Sequence, residues 1–181
     1  MKIPLTYGAF TAIASCLVTL LLFFLGYHSD ATKLASIQTP AVIVTIGINL
    51  AGIILGMRAR RAQVPPNESF SYGRALGTGV LIGVFAALFG GVFNLLYSTV
   101  INPDFSDVMM QLQTAKLEAK GMSSDQIEKA SGMMRMLFKP AIQFVFIVIG
   151  GAFWALVISL IAAAFIKRPD RTDVVPALPA S

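Results

Sequence analysis

Residue types that perform reactions are scarce in this chain and badly placed for cooperation. His28 is the only histidine and Cys16 the only cysteine, so no intramolecular disulfide can form. His28 stands beside Ser29 and Asp30 at the end of an apolar run, where a solvated, interfacial role is expected. No Ser/His/Asp set, carboxylate pair or zinc spacing can be assembled. Met109, Met110, Met133, Met134 and Met136 would suit Cu(I) as thioethers, but no histidine or cysteine stands nearby to complete a site. The expectation is a protein that is not an enzyme and carries no cofactor or metal.

The chemistry that remains is amide chemistry inside apolar surroundings. Asn49, Asn94 and Gln143 each interrupt an apolar run. An amide is costly to leave in lipid, and the usual solution is a hydrogen bond to a neighbouring helix. These three are expected to be buried polar groups, with lining of a transport path as the alternative.

The elements that position them are long. More than half of the 181 residues are apolar, and charge is absent from extended regions. About 30 Å of hydrocarbon is crossed by a helix rising 1.5 Å per residue, and four stretches suffice: Leu5 to Tyr27, Pro40 to Met57, Leu76 to Ile101, and Ala141 to Ile166. Lipid offers no partner to unpaired backbone groups, so these are helices. The net charge of +5 does not imply nucleic-acid binding, because the basic residues flank apolar runs and form no stripe. Ile13-Ala14-Ser15-Cys16 has the look of a lipoprotein cleavage site, yet the apolar run continues through Leu25, which favours an uncleaved first span.

Arg58, Arg60, Arg61 and Arg74 gather between spans two and three, and Lys167, Arg168 and Arg171 follow span four. Lys and Arg collect on the cytoplasmic side, so both termini and the arginine loop are expected there. The stretch 169–181, with Pro176 and Pro179, is expected to be a disordered cytoplasmic tail.

Span three should stop at Asn102, since Pro103 pushes its predecessor out of helical geometry. Asn102 as cap, Pro103 as first residue and Asp104 at the positive end then start a helix. Phe105, Val108, Met109, Leu112, Ala115 and Ala119 form its apolar face, and Gly121 ends it. Ser123 and Gln126 suit a capping box for a second helix, with Met122 and Ile127 as staple and Ala130, Met134, Leu137 and Phe138 continuing the face. Pro140 then opens span four. The hairpin 102–139 holds six of the eight methionines, a side chain suited to adaptable contacts. Phe105, Met109, Leu112, Ile127, Met134 and Leu137 are the candidate partner-contact residues, the alternative being packing on the bundle or on lipid headgroups.

Small residues supply the expected helix-packing stripes: Gly52 and Gly56, Gly79 and Gly83, Gly90 and Gly91, Gly150 and Gly151. Tyr7-Gly8 and Tyr72-Gly73 hint at an internal repeat, but the halves align no further.

The segment Phe70 to Phe105, FSYGRALGTGVLIGVFAALFGGVFNLLYSTVINPDF, followed by KGMSSDQIEKA and a fourth span, resembles a bacterial membrane family catalogued as domain of unknown function 4199. The resemblance covers nearly the whole chain and implies a four-span envelope protein. It brings no catalytic residues to carry over. The combined expectation is an all-α integral membrane bundle of four transmembrane helices with an extramembrane hairpin between spans three and four. It would sit in the bacterial inner membrane as an assembly or accessory protein that meets lipid and either a protein partner or its own copies. A small oligomeric transporter or channel is the alternative.

Overall fold

The computed structural model describes residues 1–168, and the expectation for the tail 169–181 lies outside the described residues. Six α-helices follow in order: α1 Lys2–Phe24, α2 Ala31–Ala62, α3 Tyr72–Leu96, α4 Phe105–Ala119, α5 Ser124–Leu137 and α6 Pro140–Ile166. Four of them, with α3 extended through Ile101, are long and apolar enough to cross a membrane. The protein is an all-helical membrane bundle.

Helix α3 is central, packed on α6 and α1 and more lightly on α2. The core gathers Ile53, Met57, Phe70, Ala75, Ile82, Ala155, Ala162, Ala163 and Ile166 at the terminal end of the bundle, where α3 begins and α6 ends. Backbones approach closely there because the contact residues are small. A Cβ on Gly83 would overlap the Ala155 methyl, one on Gly79 would overlap Ser159, and one on Gly151 would lie 2.6 Å from Ala87 Cβ. Gly52 and Gly56 similarly admit Thr11 and Tyr7 of α1, and Gly91 admits Phe144. Gly90 and Gly150 differ from expectation: each faces open space. Adjacent helix positions point 100° apart, so only one glycine of each pair can face the neighbour.

Arg168 closes the terminal end. Its Nε and Nη2 donate to the carbonyls of Val64, Pro65 and Glu68. Its backbone exchanges two hydrogen bonds with Phe70, an isolated bridge that holds the Phe70 ring inside the core. Net charge alone made this arginine an orientation signal; the structure also makes it the clasp of the α2–α3 loop. The planar guanidinium fork suits several acceptors at once.

Two boundaries depart from expectation. Helix α2 starts nine residues before Pro40, with Asp30 as cap accepting from Thr32 N and Lys33 N. Those N–H groups also hold the Asp30 carboxyl below the ordinary aspartate range. Pro40 therefore lies inside a helix, not at its start. At the end of span three the chain makes a π turn over Tyr97–Ile101, closed by Asn102 N donating to Tyr97 O at 2.7 Å. Asn102 caps no helix with its side chain; α4 begins at Phe105 after Asp104. The capping box of Ser123 and Gln126 is present, Gly121 turns the chain at φ +73°, and Pro140 opens α6.

Candidate functional site at the hairpin end

The α1–α2 turn is set by Gly26, whose φ of +77° is left-handed. Gly26 N donates to Phe23 O and Tyr27 N to Leu22 O, the pair of bonds that closes a helix in a Schellman turn. The next residue is His28. It is buried, contrary to the solvated role expected for a residue flanked by Ser29 and Asp30. Its Nδ1 lies 2.5 Å from Tyr97 Oη, and Asn102 Nδ2 donates to that same oxygen at 3.2 Å.

The π turn makes this convergence work. One extra residue per turn brings Asn102 back over Tyr97 while Tyr97 points inward. Phe23, His28, Phe93 and Phe105 surround the Tyr97 ring, with His28 and Phe105 centroids 4.9 Å apart. Tyr97 is among the largest fully buried side chains of the protein. Nothing in residue spacing marked it, because the π turn that aims it is a product of tertiary packing.

Burial away from water holds the His28 imidazole below the ordinary histidine pKa. A neutral ring needs one donor and one acceptor nitrogen. Asn102 Nδ2 and His28 Nδ1 both meet the tyrosine oxygen, and the direction of the His28–Tyr97 bond follows the ring's tautomer. The node is thus a hydrogen-bonded chain of Asn102, Tyr97 and His28, built from three separate segments. Among the described residues no three His, Cys, Asp or Glu side chains converge on a common point.

The three amides do not form one site. Asn94 Nδ2 donates to Gln143 Oε1 at 3.0 Å, joining α3 to α6. Asn49 stands apart on α2 and donates to Thr45 O of its own helix. All three are half-buried, where full burial was expected.

The hairpin divides in two. On α4, Val108 and Leu112 pack with Leu34 of α2, so of the candidate contacts Leu112 is buried within the chain, while Phe105 and Met109 flank it half-buried. Helix α5 buries no residue. Ile127 and Met134 are half-buried, whereas Leu137, Met133 and Met136 are exposed.

A family model matches residues 6–168, which takes in all four apolar helices and the hairpin. The chain belongs to this family, described as Protein of unknown function (DUF4199). No curated protein and no solved structure matches the chain. Family membership therefore adds no site residues beyond those built here from the geometry.

Proposed function

We propose that this protein is a non-enzymatic accessory or assembly protein of the bacterial inner membrane, with both termini cytoplasmic and the hairpin outside. The observation that carries the reading is the contrast within the hairpin. Helix α4 is anchored on α2, while α5 presents Met133, Met136 and Leu137 with no cover. An anchored arm with an adaptable methionine face is suited to a protein contact.

The channel alternative draws less support. Asn94 and Gln143 satisfy each other, and Asn49 bonds to its own helix, so the amides do not converge on a shared path. Orientation rests on the arginine-rich α2–α3 loop.

The test is native mass spectrometry of the protein extracted from its host in mild detergent. A stoichiometric second subunit, lost in the Met133→Glu/Met136→Glu double variant, is expected. A homo-oligomer alone would overturn the accessory reading. For orientation, a cysteine at Ser123 should react with an impermeant thiol reagent in spheroplasts, and one at Asn67 should not.

A further inference from the structure

Helix α2 is covered at both ends and bare between them. Leu34 is buried against α4, and Ile53, Gly56 and Met57 are buried in the core. From Val42 to Gly47 every residue is exposed. Six consecutive helical positions point in all directions, so among the described residues the other helices leave every face of this stretch largely open. Thr45 and Asn49 turn to backbone carbonyls of their own helix.

Beside this bare stretch lies a groove of about 300 Å³, lined by Leu22 of α1, by Ile37, Ala41 and Ile46 of α2, and by Phe105 and Met109 of α4. It extends along α2 from Leu34 to Ile46, a distance of about 18 Å at the helical rise. Its polar groups are His28, Gln38 and Thr45. Lys116 of α4 donates to Gln38 Oε1 and so places an ammonium at the hairpin end of the groove.

We infer that the groove holds one acyl chain of a membrane phospholipid whose anionic headgroup meets Lys116 and Gln38. Three features select this occupant. The apolar part of the groove lies along a membrane-spanning helix, so lipid chains are what surrounds it. The groove is open on the side of the bare stretch, where its lining residues Val42 and Ile46 are exposed, so an extended chain can enter it from the surrounding lipid. The charged group bonded to the groove's polar lining is a cation, Lys116 on Gln38. Asp30 is committed to capping α2, and Asp107 lines the cleft on the opposite side of α4. His28 lines the groove at the same end and is a further polar group for a headgroup or ester.

The experiment is native mass spectrometry of the full chain in a neutral detergent, titrated with phosphatidylglycerol or with phosphatidylcholine. One phosphatidylglycerol should be retained per chain in preference to phosphatidylcholine. Ala41→Trp, which fills the groove, should abolish retention of both, while Ile149→Trp on the exposed face of α6 should not. Lys116→Ala, an exposed position that does not threaten folding, should lower the preference for phosphatidylglycerol about fivefold. Retention that is unchanged by both Ala41→Trp and Lys116→Ala would overturn the assignment. So would equal retention of the two lipids by the unaltered protein, or a dimer that Ala41→Trp dissociates.

Discussion

At the terminal end Gly79 and Gly83 bring α3 against α6 until a single added methyl would overlap Ser159 or Ala155. At the hairpin end the neighbours are large, and Tyr97, Phe105, Phe93 and Phe23 fill the space around a buried histidine. One end is held by close backbone packing of small apolar residues, the other by aromatic bulk around a hydrogen-bonded node. Close packing tolerates no change of volume, whereas the node tolerates no change of hydrogen-bonding partner. The difference also explains α2. It is bound where glycines admit α1 and α3, and it stands away from them where its residues are Val42, Ile43, Val44 and Ile46.

The comparison breaks most easily at the glycines. Gly83→Leu should destabilise the bundle by about 3 kcal/mol or more, because overpacking a closed contact forces helices apart. Gly150→Ala faces open space and should be neutral or stabilising by up to about 1 kcal/mol through helix propensity. Thermal unfolding in detergent measures both. Equal losses would mean that the close contacts do not hold the terminal end.

A middle-sized effect is expected at the node. Tyr97→Phe keeps the ring and removes the hydroxyl, leaving His28 Nδ1 and Asn102 Nδ2 without a partner, at a cost of about 1–3 kcal/mol. The loss should appear as faster amide hydrogen exchange around the α1–α2 turn and the π turn, with the terminal end unchanged.

The node should also carry a pH dependence. Burial lowers the folded-state pKa of His28, so the folded form binds its proton less readily than the unfolded form. The associated stability is fully present above the ordinary histidine value near 6.5. It declines as pH falls below that value toward the lower folded pKa. Melting temperature should therefore drop between about pH 7 and pH 5, and His28→Gln should flatten that part of the profile. An unchanged slope would assign the acid sensitivity to other groups.

The smallest effect belongs to the amide pair. A double-mutant cycle on Asn94→Leu and Gln143→Leu should give a coupling of about 0.6 kcal/mol, typical of polar contacts between membrane helices. Asn49→Leu should show no coupling to either. Coupling between Asn49 and the pair would restore the idea of a shared polar path.

Local chemistry decided most of what the sequence alone made legible. Length and hydropathy placed four spans, since lipid leaves an apolar stretch of that size no other conformation. Caps and turn residues placed the hairpin, because Ser123, Gly121 and Pro140 act on residues within a few positions of themselves. Pro40 misled because an internal proline removes one hydrogen bond, while the Asp30 cap and the continuing helix beyond it still held. The adjacent pairs Gly90-Gly91 and Gly150-Gly151 name the right helices but not which member faces a neighbour, which depends on helix rotation. Gly8, where an added Cβ would lie 2.6 Å from Phe85 Cβ, belongs to no glycine pair, and only the fold shows that it faces α3.

The tertiary structure alone decided the contents of the hairpin end. His28 and Tyr97 lie 69 positions apart, and nothing in either neighbourhood specifies that a π turn will aim one at the other. Arg168 reads as charge until the fold brings three loop carbonyls within reach of its guanidinium. The bare stretch of α2 looks like any other apolar span in sequence. Hydropathy reports that a residue avoids water, whether it then meets protein or lipid, and only the packing of the other helices distinguishes the two.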